Sequence, residues 1–248
     1  MPYANNKGVR IHYEVEGEGP PLVLQHGSAG SLEDWRECGY VEALKHANRL
    51  ILIDARGHGE SDKPHDVTAY EIALRASDII AVLDELGVRK TGYMGYSLGG
   101  WIGFGLAKHA PERLRALVLG GAHPYAENMQ AFRDLFPQDP EAFVAMMRPI
   151  WGEYFSSALQ QRLMHNDLAA LAASTHDRSS MAEVMPEMQM PCLLYCGSTD
   201  PRLTQVRNCM TAMPNASFVV LPDTSHVMGF ARSGMILPFV QAFLANAR

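Results

Sequence analysis

Gly95-Tyr96-Ser97-Leu98-Gly99 sets a serine between two glycines, at a point where an apolar run gives way to a helical pattern. Lys90 to Met94 reads as a short strand leading in. Gly99-Gly100-Trp101-Ile102-Gly103-Phe104-Gly105-Leu106-Ala107 reads as a helix leading out, with small residues that permit close packing on a sheet. So tight a strand-to-helix turn holds its central residue in strained backbone geometry. Side chains at the flanking positions would strike the neighbouring strand and helix, which is why glycine stands there. The serine hydroxyl is thereby presented to a base and a substrate. The glycines of the first helical turns each weaken a helix by about 1 kcal/mol relative to alanine, so the segment serves something other than helix stability.

Further apolar runs recur on both sides of this turn: Arg10 to Val15, Pro21 to Gln25, Arg49 to Ile53, Leu114 to Gly120, Cys192 to Cys196 and Ser217 to Leu221. Their Val, Ile and Leu content, without polar alternation, is that of strands covered on both faces, and most are separated by helical segments. The expectation is an α/β fold with a mostly parallel central sheet flanked by helices. Glu16-Gly17-Glu18-Gly19-Pro20 is too short for a crossover helix, so Arg10 to Val15 and Pro21 to Gln25 are expected to form an antiparallel hairpin at one edge. Helices are expected at Ala69 to Leu86, with Ile72, Ala76, Ile79, Ile80 and Leu83 on one stripe, and at Met235 to Ala245.

The rhythm breaks at residues 122–185, which carry helical patterns and no strand. In a compact domain so long an excursion usually has a use, and a helical cap inserted into a core made of residues 1–121 and 186–248 is the simplest account. It holds Met129, Met146, Met147, Met164, Met181 and Met185 with Phe132, Phe136, Phe143, Trp151, Tyr154 and Phe155. Such residues at helical spacing mostly build core, but a cap over a site must present some of them to substrate. Phe143 and Trp151 are the candidates for substrate contact.

The 248 residues fit one large domain, and a hydrophobic fraction of 47% with 19% charged residues is that of an ordinary globular protein. No apolar run approaches the length of a membrane span, and the first residues lack a secretion signal, so a cytoplasmic location and no membrane partner are expected. The cysteines Cys38, Cys192, Cys196 and Cys209 suit a reducing compartment and show no metal-ligand spacing, so packed thiols and no metal are expected. A net charge of −6 without a Lys/Arg cluster argues against nucleic acid and leaves a small molecule as partner. The oligomeric state is open at this level.

A serine hydroxyl is a poor nucleophile at neutral pH, so Ser97 needs a base, and the base needs a group that fixes its tautomer. His226 lies just beyond the last strand, in Pro222-Asp223-Thr224-Ser225-His226, and opens onto the carboxyl edge of the sheet, as Ser97 does. Of the other histidines, His12 falls in an edge strand, His46 in a surface helix and His58 in a tight polar loop that it braces. His26 and His123 follow strands and remain open. Asp200, in Gly197-Ser198-Thr199-Asp200-Pro201, emerges on the same edge; Asp54 and Asp223 are the alternatives. The order Ser97, Asp200, His226 is the one this architecture uses. Backbone donors for an oxyanion are expected from Leu98, at the helix start, and from Ser28 in His26-Gly27-Ser28-Ala29-Gly30-Ser31, whose hydroxyl could add to its amide.

With these residues in place the chain resembles, from end to end, the α/β-hydrolase fold enzymes of the capped single-domain kind. The resemblance rests on His26-Gly27, Asp54-x-Arg56-Gly57-His58-Gly59-x-Ser61, Gly95-x-Ser97-x-Gly99, Gly197-x-x-Asp200-Pro201 and Ser225-His226, in that order. It implies a Ser-His-Asp triad, Ser28 and Leu98 as oxyanion donors, and no cofactor. Haloalkane dehalogenases and epoxide hydrolases of this fold carry aspartate where Ser97 stands, and cofactor-free perhydrolases tend to have proline near the oxyanion strand, whereas His26-Gly27-Ser28-Ala29 has none. What remains is a carboxylesterase-like serine hydrolase acting on small to medium apolar esters. Lactonase, thioesterase, amidase and carbon-carbon hydrolase chemistry use the same triad; a ligand receptor and a hydroxynitrile lyase are the readings from other classes.

Overall fold

The apolar runs pair side by side into one eight-stranded sheet, in a computed structural model that describes residues 2–134 and 139–247. The strands are β1 (Tyr3–Asn6), β2 (Val9–Glu16), β3 (Pro21–Gln25), β4 (Arg49–Ile53), β5 (Thr91–Tyr96), β6 (Leu114–Gly120), β7 (Cys192–Gly197) and β8 (Ala216–Leu221), in the spatial order β1-β2-β4-β3-β5-β6-β7-β8. All neighbours from β4 to β8 run parallel, while β1–β2 and β2–β4 are antiparallel. The expected sheet is there, with one strand the periodicity missed. β1 is the polar stretch Tyr-Ala-Asn-Asn, held by its ladder to β2 and by Asn6 Nδ2, which donates to Asp78 Oδ1 at 2.7 Å.

The expected hairpin is corrected. β2 pairs with β4, Tyr13 opposite Ile53, and not with β3. Residues 16–20 instead carry the chain past β4, a crossing of two inter-strand spacings of about 4.8 Å that five extended residues can span. β3 is thereby set parallel between β4 and β5, so its carboxyl end meets the elbow after β5. β1 also covers β2 on the outside, so His12 is not in an edge strand.

Helices α1 (Glu33–Glu37) and α2 (Tyr40–Leu44) follow β3, α3 (Ile72–Glu85) follows β4, and α4 (Leu98–His109) follows β5. The single helix expected over Ala69 to Leu86 is interrupted at Glu71, whose ψ of 145° separates a short 3-10 turn from α3. One core lies on the α3 and α4 face, where Ile79, Val82, Leu83, Trp101 and Phe104 pack on Val23, Ile51 and Leu117. The other face joins Trp35, Tyr40, Leu52, Met94 and Tyr195 to Phe230 and Val240. Among the described residues no helix is long and apolar enough to cross a membrane.

Between β6 and β7 run α5 (Gln130–Arg133), α6 (Pro140–Trp151), α7 (Ser157–Met164) and α8 (Leu168–Ser174). Phe143, Val144, Leu159, Leu163 and Leu171 form a separate cluster there. Met181 and Met185 instead pack into the α4 side of the sheet core. Phe136 lies outside the described residues. After β7 come α9 (Leu203–Cys209), and after β8 α10 (His226–Ala231) and α11 (Leu237–Asn246).

Candidate active site

β5 hands over to α4 at Ser97, whose backbone sits at φ +54° and ψ −109°. A non-glycine residue there is strained by about 1–3 kcal/mol and persists only where its surroundings impose it. Two contacts impose it: Ser97 N–H donates to Gly120 O at 2.8 Å, and Trp101 N–H to Ser97 O at 2.9 Å. A Cβ on Gly95 would overlap the carbonyl of Gly99, and one on Gly99 would overlap that of Gln25 at the end of β3. The two glycines therefore let strand, helix and neighbouring strand converge, and the hydroxyl between them stands clear.

The carboxyl ends of β7 and β8 bring the other groups. Asp200 follows β7 in a turn closed by Asp200 N–H to Gly197 O at 3.2 Å, and the β8 loop is tied to it by Thr199 Oγ1, which donates to Thr224 O at 2.9 Å. Ser225 caps α10, so that His226 stands at its first position. His226 Nε2 lies 2.9 Å from Ser97 Oγ, and Nδ1 lies 2.6 Å from Asp200 Oδ2. Burial pushes the Asp200 carboxyl up, but the hydrogen bond and charge of His226 and the amide of Arg202 outweigh it and hold the carboxyl below its ordinary value.

The alternatives to Asp200 lie elsewhere. Asp223 is exposed, its amide donating to Ser198 Oγ at 2.9 Å. Asp54 is buried against His12, with its Oδ2 at 2.8 Å from His12 Nδ1, and accepts the Leu32 and Glu60 amides. Burial raises the Asp54 carboxyl and these partners more than offset it, leaving it lowered. His26 accepts the Ala55 amide on Nε2 at 3.0 Å, which leaves its Nδ1–H to donate to Gly27 O at 2.7 Å. Thus His26 and Asp54 brace the loop after β3. His58 is fully buried beside Arg56 O, and burial pushes it down to about 3. His123 is buried against Tyr125, and among the described residues its Nδ1 has no hydrogen-bond partner. Cys38, Cys192, Cys196 and Cys209 are buried thiols. Burial pushes Cys38, Cys192 and Cys209 up to about 12.

Ser97 and His226 open onto a cavity holding about 770 Å³ of empty space, part of it open to solvent. Gly27, Ser28 and Ala29 form one wall, and Phe132, Phe143, Met146, Met147, Ile150 and Trp151 close it from the β6–β7 segment. Leu98 starts α4 and has no carbonyl one turn back, so its N–H is free for a ligand. Among the described residues neither that amide nor Ser28 N–H donates to another backbone group. Among the described lining residues Asp34 is the one acid; it is buried and accepts from Arg162 at 3.0 Å, and burial pushes its carboxyl above the ordinary value.

Tyr96 is the residue sequence reasoning passed over. Its hydroxyl donates to the main-chain carbonyl of His226, and its ring lies 5.4 Å from the imidazole. The variable position of a Gly-x-Ser-x-Gly string carries no signal for this, because the partner is 130 residues away.

An α/β fold with this elbow and this serine-histidine-aspartate chain defines a class, and comparison with known proteins agrees. Residues 20–163 match the family model of the alpha/beta hydrolase fold; the chain belongs to that family. A putative 2-succinyl-6-hydroxy-2,4-cyclohexadiene-1-carboxylate synthase of Bacillus subtilis (strain 168) is 29% identical over 95% of this chain and 96% of its own. A putative carbamate hydrolase RutD of Azorhizobium caulinodans is 35% identical over 58% of this chain and 55% of its own. The solved enol-lactonase of Burkholderia xenovorans LB400 superposes with a TM-score of 0.87 at 25% identity, over 98% of this chain and 100% of that one.

Proposed function

We propose that this protein is a serine hydrolase that cleaves carboxylic esters with small to medium, largely apolar acyl groups. The observation that carries the reading is the chain Ser97 Oγ, His226, Asp200, at 2.9 and 2.6 Å, on the floor of an apolar cavity. Ser97 attacks the ester carbonyl as its proton passes to His226 Nε2, and Asp200 holds the imidazole in the tautomer whose Nε2 is the acceptor. The tetrahedral oxygen takes hydrogen bonds from the Ser28 and Leu98 amides. The proton goes on to the leaving alcohol, and water, activated by the same imidazole, releases the acid from Ser97.

Within residues 122–185, α5 and α6 supply the cap surface that bounds the acyl site, above the core of residues 1–121 and 186–248, while Met181 and Met185 pack into the sheet core. The lining supports uncharged substrates, since its described members include no lysine or arginine to meet an anion and its one acid, Asp34, is buried and already paired with Arg162. That argues against the polar carboxylate chemistry named for the Bacillus relative. A lactone is an internal ester that needs the same groups, and the enol-lactonase, similar over the whole chain, favours it as the second reading.

A panel of p-nitrophenyl esters and lactones tests the proposal. Turnover is expected, with a serine-directed phosphonate labelling Ser97 and Ser97→Ala losing both. Undiminished hydrolysis by folded Ser97→Ala would overturn it.

A further inference from the structure

The loop that carries Ser28 is held by the segment above it. Gly27 to Gly30 close a turn in which Gly30 N–H donates to Gly27 O at 3.3 Å, and Ala29, at its third position, has φ +61°. Positive φ at that position is the geometry of a type II turn, where glycine is the usual residue and an alanine is strained. Something must hold it there. Asn166, between α7 and α8, donates from Nδ2 to Ala29 O at 2.9 Å. Only the amide nitrogen fits that contact, because the partner is a carbonyl. The Ala29 methyl is buried in the cluster of Phe143, Val144, Leu159, Leu163 and Leu171, whose other described members all lie between 143 and 171.

The geometry points to Asn166 as a positioning residue: with the pocket that grips the Ala29 methyl, it holds the turn in which the Ser28 amide faces the reacting carbonyl. The inference rests on the hydrolase reading above and extends it. The β6–β7 segment does more than bound the substrate, since its seating on Ala29 completes the oxyanion site. Without Asn166 the strained Ala29 relaxes toward negative φ, and the turn that orients Ser28 N–H relaxes with it. A glycine at position 29 holds the same turn without strain.

Asn166→Ala and the double variant Asn166→Ala/Ala29→Gly are compared with the wild-type protein in ester hydrolysis, each normalised to the fraction of Ser97 titrated by phosphonate. Loss of a whole oxyanion donor lowers kcat by about 100- to 1,000-fold, so loosening one is expected to lower it about tenfold in Asn166→Ala, with KM changed less than about twofold. The double variant is expected to recover most of that loss, which a general folding defect would not do. Full kcat in Asn166→Ala, or a loss that Ala29→Gly does not relieve, overturns the inference while labelled, active wild-type protein leaves the hydrolase reading standing. Wild-type protein that neither hydrolyses esters nor takes the label overturns both.

Discussion

The hydroxyl of Tyr96, the residue before the elbow serine, donates to the main-chain carbonyl of His226, the residue that faces that serine. One side chain thus ties the end of β5 to the start of α10, and its ring packs on the imidazole and on Phe230. Tyr96→Phe keeps the ring and deletes the tie. A net hydrogen bond is worth about 0.5–1.5 kcal/mol, so turnover is expected to fall about three- to tenfold with KM nearly constant. Steady-state kinetics on one p-nitrophenyl ester decide it; a changed KM at constant kcat would assign Tyr96 to substrate binding instead.

Asp200→Asn is expected to lower kcat by roughly 10⁴-fold, the scale seen when a triad acid loses its charge, because His226 then settles in the wrong tautomer. Asp223→Asn is expected to stay within about threefold of wild type, since that side chain is exposed and its backbone contact to Ser198 is untouched. Parallel assays of the two variants test the pair, and the reverse ranking would move the acid's role to Asp223.

Stability should carry the mark of Asp200 at low pH. A carboxyl held below its ordinary value of about 3.9 stabilises the folded state above that pH, and the contribution disappears as pH falls through the lower folded value. Asp200→Asn has no such proton to bind. The gap in urea midpoint between wild type and Asp200→Asn is therefore expected to shrink as the buffer is taken from about pH 5 to about pH 3. A gap that widens over this range would show that the His226 contact does not depress the carboxyl.

Phe143 and Trp151 line the same cavity but should respond differently. Phe143 is 1% exposed and sits in the α6–α8 cluster, so Phe143→Ala should cost about 3–5 kcal/mol of stability. Trp151 is half-buried, and Trp151→Ala should mainly enlarge the acyl site, moving relative kcat/KM toward longer acyl chains by about 1–3 kcal/mol. An acyl-length series together with thermal melts separates the two effects. Identical length profiles in wild type and Trp151→Ala would remove Trp151 from the specificity site.

What the sequence by itself determined lies in local chemistry. Continuous Val, Ile and Leu runs such as Arg49–Ile53 mark strands, that one buried from Leu50 on, whereas the similar run of β8 lies half-buried at the sheet edge, and Gly95 and Gly99 mark a turn no larger residue fits. The placing of Asp200 and His226 just past apolar strands was equally local. Tertiary structure alone decided what depends on distant partners. β1 has no apolar signal and exists through its pairing with β2, and β3 leaves its sequence neighbour because β4 and β5 bury it more fully than a hairpin at the edge would. Tyr96 on the carbonyl of His226 and Asn166 on that of Ala29 are contacts between a side chain and a backbone more than a hundred residues away. Backbone carbonyls are the same at every residue, so no residue type or spacing encodes which one such a side chain will meet; only the packing of the folded chain does.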